Sequence, residues 1–129
     1  VDDAYIFLAE IYRALGNKAR SRTNALEAAK VNPTDGKPYI IIGDMYAASA
    51  KDCGTDDLTR KVAYWAAVDK YKKAKRVDPS QTDAMNKRIA SYQAHFPPTE
   101  VLFFHNLKEG DTYTVGCWIN EVTKIRAAK

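Results

Sequence analysis

Cysteine and histidine are scarce in this chain of 129 residues, which has two of each. Two cysteines, Cys53 and Cys117, are too few to read as a disulfide framework, and they decide no compartment. With His95 and His105 they leave no pair at the spacing of roughly two to five residues that structural zinc sites favour. The six glycines never cluster, which excludes a glycine-rich phosphate cradle. The five prolines are scattered, which excludes collagenous and low-complexity chains. No run approaches the roughly 18 consecutive apolar residues of a membrane-spanning helix, and the first residues lack the order of a secretory leader.

The net charge of +4 is too small to argue for nucleic acid. The basic run Lys70, Lys72, Lys73, Lys75 and Arg76 reads as a solvated face near a helix C-terminus, where cations suit the dipole. It lacks the stacking aromatics or groove-entering helix of a nucleic-acid patch. No nucleophile stands with a marked base, so no catalytic residue, metal or cofactor is assigned and the chain is not read as an enzyme. Cys117 reads as a buried strand residue and Cys53 as an exposed tip residue.

What is present is periodicity. Apolar residues make up 46% of the chain and fall at three- and four-residue steps up to about Ala94. Tyr5, Leu8, Ala9, Tyr12 and Leu15 mark a first helix, with Asp2 or Asp3 as its cap. Gly16-Asn17 stops it. A second helix runs to Asn32-Pro33 with Ala25, Ala28 and Ala29 as small contact residues. A third is expected from Lys37 to Lys51 and a fourth from Leu58 to Val77, capped from Thr55, Asp56 or Asp57. A fifth, from Ser80 to Ala94, opens on a capping box of Ser80 and Asp83. Beyond Pro97 the residues turn β-branched and aromatic. Strands are expected over Thr112–Trp118 and Val122–Arg126, with a possible third over Val101–His105.

The helices repeat. Tyr5, Leu8, Ala9 and Tyr12 match Tyr39, Ile42, Gly43 and Tyr46, 34 residues on. Ser21, Ala25, Ala28 and Pro33 match Ala67, Tyr71, Ala74 and Pro79 at the same steps. This pattern resembles the tetratricopeptide repeat, or TPR, over about three quarters of the chain. The resemblance implies a mainly α fold, a right-handed superhelical stack of antiparallel helix pairs. Repeat 1 covers about 2–33, repeat 2 about 34–79 and a closing helix about 80–94, so that 1–96 is the helical unit and 97–129 a small β-hairpin appendage. Pro33 and Pro79 stand 46 apart, which puts 12 extra residues in repeat 2. Shared between two helices, they predict a protruding hairpin longer by roughly 9 Å, with Cys53-Gly54 at its tip.

The resemblance also implies function: TPR stacks hold a peptide or partner helix on the inner face of their first helices. The inner positions are Asp3, Ile6, Glu10 and Arg13, then Lys37, Ile40, Asp44 and Ala47. Glu10 and Asp44 stand at equivalent places and would repel a bound carboxylate. A neutral to basic peptide resting on Ile6 and Ile40 is therefore expected, unless both acids simply pair with Arg13, Lys37 or neighbours. A non-catalytic interaction scaffold is the first reading. A structural docking module with an unused groove and a regulatory domain of an upstream enzyme are the alternatives. The uncapped flank of the first helix predicts earlier repeats before Val1, or self-association. A looser likeness of the last residues, Gly110–Cys117 among them, to TPR proteins of Gram-negative anaerobic bacteria implies the cell envelope.

Overall fold

A computed structural model describes residues 2–129; Val1 lies outside the described residues. Six α-helices and one two-stranded antiparallel sheet are seen among them. The first two helices are α1 (Asp2–Ala14) and α2 (Lys18–Val31). Gly16 takes a positive φ of 79° between them, and the Asn17 side chain accepts from the Arg20 N–H at 3.1 Å to cap α2. The helices pack closely because the contact residues are small: Ala9, Ala25 and Ala28 have no exposed surface. The Ser21 hydroxyl donates to the Ala9 carbonyl at 2.7 Å, so a hydroxyl is satisfied at a dry contact.

α3 (Lys37–Ser49) packs on α2, and α4 (Ala63–Val77) packs on α3. The closest approach is at Gly43. A Cβ there would meet the Tyr71 ring at 2.7 Å and the Ala67 carbonyl at 3.2 Å. α5 (Thr82–Gln93) then lies against α4. The expected capping box at Ser80 and Asp83 is replaced by Asp78. Its carboxylate accepts from the Ser80 N–H at 3.2 Å and from the Gly36 N–H at 3.1 Å, tying the end of α4 to the start of α3. These bonds, the Ser80 hydroxyl first, hold the Asp78 carboxyl below its ordinary range.

Four expectations fail. The run Val101–Phe104 is not a strand: it lies in α6 (Thr99–Phe104), which follows Pro97-Pro98 and buries only Leu102. The strands are shorter than expected, β1 (Thr112–Val115) and β2 (Glu121–Lys124), paired with Thr112 opposite Lys124 and Val115 opposite Glu121. Gly116–Asn120 forms the turn, with Cys117 and Asn120 at positive φ of 61° and 47°.

The residues expected to lengthen a hairpin of two helices do not do so. α3 stops at Ser49, Ala50–Cys53 form a 3₁₀ turn, and α4 starts only at Ala63. Local hydrogen bonding competes with helix here. The Asp56 carboxylate accepts from the Leu58 and Thr59 N–H groups at 3.1 and 2.7 Å. Leu58 and Val62 fold under and are buried. Cys53 and Cys117 form a disulfide; Cys117 is an exposed turn residue, not a buried strand residue, and Cys53 is half-buried against the core, not an exposed tip.

The carboxy-terminal segment covers the back of α3 and α4 and shares their core through Val115, Ile119 and Ile125. Trp65, fully buried, donates its indole N–H to the Arg126 carbonyl at 2.8 Å and meets Tyr113 edge-on. Trp118 donates to the Ser49 hydroxyl at 3.0 Å. Arg22 of α2 donates to the carbonyls of Ile119 and Trp118 at 2.8 and 3.2 Å and to the Tyr46 hydroxyl at 2.9 Å. Glu121 accepts from that hydroxyl and pairs with Lys70 at 2.9 Å. Burial, then the Glu121 bond, drives the Tyr46 phenol well above its ordinary value.

Two predictions follow from this packing. The Cys53→Ser, Cys117→Ser double variant loses about 2–4 kcal/mol of unfolding free energy in urea titration, because the bridge closes a 64-residue loop. Gly43→Ala loses about 1–3 kcal/mol despite the better helix propensity of alanine, because the fully buried Tyr71 ring cannot yield.

Candidate functional site

The opposite side of α3 from the carboxy-terminal segment is open. At 100° per residue, Lys37, Ile40, Ile41 and Asp44 share one side of this helix and Tyr46 and Ser49 the other. The open side faces α1, and a cleft of about 270 Å³ lies between them. Its walls are Ile6, Glu10 and Arg13 from α1, and Lys37, Ile40, Ile41 and Asp44 from α3. Six of the eight inner positions read from the sequence therefore line one cleft. The structure adds Ile41, which is buried in the floor. Asp3 is exposed and is not in the wall, and Ala47 is buried in the core.

The floor is apolar. Ile6 and Ile40 are half-buried and rest on the core, so each offers a partial hydrophobic surface to an occupant. The charges of the rim are largely spent on each other. Glu10 pairs with Arg13 at 3.7 Å, one helical turn along α1. Asp44 accepts from the Tyr71 hydroxyl at 2.6 Å and from Arg88 at 3.2 Å. Arg88 comes from α5 and also lies over the Tyr71 ring at 5.8 Å. Burial first, and then the bond to Asp44, pushes the Tyr71 phenol far above its ordinary value, so it remains a donor. Lys37 is exposed and makes no ion pair among the described residues. Nearby, the Asp35 carboxyl is raised, chiefly by burial, with Asp2 beside it adding repulsion.

These pairings remove the electrostatic reason for expecting a basic occupant. Each acid of the cleft already has a cation, and with Arg88 counted the rim holds three cations and two carboxylates. Arg88 was legible in one respect. It stands three residues from Met85 and one from Ile89, beside the inward stripe of α5. Which acid it would reach depended on how α5 crosses α3, which periodicity does not state.

Two other features bear on chemistry. Cys53 and Cys117 are consumed in the disulfide, leaving no free thiol among the described residues. His95 is exposed beside Tyr64, and His105 lines a shallow acidic cleft with Asp56, Asp57 and Glu100. Asp56 is held there below its ordinary range by the Thr59 backbone and hydroxyl bonds, as the acceptor of its own turn. Among the described residues no helix is long and apolar enough to cross a membrane.

No family model, curated protein or solved structure matches this chain.

The two acids of the cleft have unequal structural weight. Asp44→Ala leaves a buried hydroxyl without its acceptor and lowers the unfolding free energy by about 1–3 kcal/mol. Glu10→Ala changes it by less than about 0.5 kcal/mol, since an exposed pair one turn apart contributes little. Paired urea titrations measure the contrast.

Proposed function

We propose that this chain is a non-catalytic, TPR-like interaction module that seats an extended peptide or partner segment in the cleft between α1 and α3. One observation carries the reading: six of eight positions chosen from sequence spacing on two helices line a single open cleft with an apolar floor. A cleft of this kind suits a side chain or two of a bound segment better than a whole small molecule, because it is shallow and open to solvent. The occupant is recognised by its apolar side chains, resting on Ile6 and Ile40. It is close to neutral, because Glu10 and Asp44 are already paired and offer little to a cation.

The back of the molecule supports the same division of labour. The carboxy-terminal segment fills that side of α3, so the front is the side of this helix left for a partner. The disulfide supports residence in an oxidising compartment, in keeping with a bacterial envelope protein.

Calorimetry with three extended peptide sets, apolar and neutral, acidic, and basic, tests the proposal. The neutral apolar set binds, and Ile40→Lys weakens it at least tenfold, while Glu10→Gln changes it less than threefold. Failure of all three sets to bind, or binding untouched by Ile40→Lys, overturns it. A preference for the acidic or basic set, abolished by Glu10→Gln, overturns the apolar basis of recognition.

A further inference from the structure

The basic run of α4 does not stay together in the fold. Lys70 pairs with Glu121 at 2.9 Å, and Lys73 lies over the Tyr39 ring at 5.7 Å. That leaves Lys72, Lys75 and Arg76. The second and third stand three and four residues after the first, so one side of the helix carries all of them within a turn or so. Together with Thr82, which opens α5, they line a cleft of about 400 Å³. It shares no residue with the cleft between α1 and α3. The wall that holds Glu10 and Asp44, and the one that holds Asp56, Asp57 and Glu100, both contain carboxylates; among the described residues this wall contains only cations and a hydroxyl.

The three charges lack a counter-charge. Among the described residues none of them forms an ion pair. Lys75 donates to the neutral side-chain oxygen of Asn86 at 2.7 Å, which leaves its other donors over. The acids close by are engaged or turned out. Asp69 pairs with Arg126 at 3.0 Å and accepts from the Thr123 hydroxyl. Asp83 follows Thr82 but is exposed and outside the wall. Burial first, and then Arg126, hold the Lys72 ammonium below its ordinary value, and Lys75 adds to the repulsion. The start of α5 adds positive charge of its own. Gln81 makes no side-chain cap there, and the first turn of a helix of 12 residues is its positive end.

We infer that this cleft binds one phosphate or sulfate group, as a free ion or as a monoester. Two ammonium groups, a guanidinium and a hydroxyl present more donors than the two oxygens of a carboxylate can accept. A tetrahedral oxyanion offers at least three oxygens and a charge near −2, which matches the wall better. The guanidinium of Arg76 supplies a planar fork and the two lysines supply point charges. The site takes one such group and not a chain of them. Lys72 to Arg76 spans about 6 Å of helix axis, and the neighbours that would extend the track, Lys70 and Lys73, are already spent on Glu121 and Tyr39.

Amide NMR titration of the full 129-residue chain with sodium phosphate and sodium sulfate, against sodium chloride at equal ionic strength, tests the inference. Saturable shifts are expected around Lys72, Lys75, Arg76 and Thr82 with both oxyanions and not with chloride. Lys72→Gln weakens binding at least fivefold. Lys73→Gln removes the same charge one residue along, on another side of α4, and changes binding less than twofold. A phosphoserine peptide that shifts the same residues identifies a group carried on a partner, and shifts with the inorganic ions alone identify a free ion. Shifts that follow ionic strength whatever the salt overturn the inference, as do equal losses from Lys72→Gln and Lys73→Gln. Tighter binding of an oligothymidylate, with a logarithmic salt slope steeper than about −2, overturns it too, because that slope marks three or more neutralised phosphates.

Discussion

The structure turns on one constraint: the back of α3 and α4 is too apolar to face water. Trp65, Tyr46 and Val68 are fully buried, and part of what buries Trp65 and Tyr46 is chain far along the sequence. Burial of a large apolar side chain is worth about 1.5–3 kcal/mol, so an uncovered back would cost several times that. The carboxy-terminal segment meets this demand and brings its own polar groups already matched. Both indole N–H groups find acceptors, and among the described residues no buried side-chain nitrogen or oxygen lacks a partner. Arg22 sits where three parts of the chain meet. Its guanidinium lies over the Trp118 ring at 4.9 Å while donating to two turn carbonyls. A planar fork with five donors is suited to that position, and lysine is not.

Covering one side of α3 defines the other. The helix is apolar almost all round, with eight buried residues among thirteen. Of the five that are not buried, Lys37, Tyr39, Ile40, Asp44 and Ala48, three line the cleft: Lys37, Ile40 and Asp44. The same helix thus holds the core with one side and presents a surface with the other. Asp44 joins the two roles: it borders the cleft, and it anchors the Tyr71 hydroxyl that lies behind Gly43.

The helices were legible because their periodicity is local. Small residues at Ala9, Ala25, Ala28, Gly43 and Ala74 announced close contacts, and each is buried. The cleft was legible for the same reason, since equivalent positions on α1 and α3 need only parallel packing to meet. What was hidden depended on contacts between distant parts of the chain. Cys53 and Cys117 carry no spacing signal, and only the arrival of the turn beside the 3₁₀ segment makes them partners. Val101–Phe104 looked like strand because β-branched and aromatic residues favour strands on a half-buried sheet; with no neighbouring strand, the segment after Pro98 coils instead. The residues between Ser49 and Ala63 were expected to lengthen two helices and do not. Asp56, read as a helix cap, uses its carboxylate to close a separate turn, and Leu58 and Val62 are drawn inward.

The bridge between Cys53 and Cys117 makes a closed ring of the chain that includes α4, α5 and α6. A protease that cuts once inside this ring, at the exposed Thr55–Asp57 stretch for example, does not release a fragment. The two new ends stay in one covalent body, and Trp65 keeps its cover. Damage to the loop is in this way separated from loss of the fold for as long as the surroundings stay oxidising.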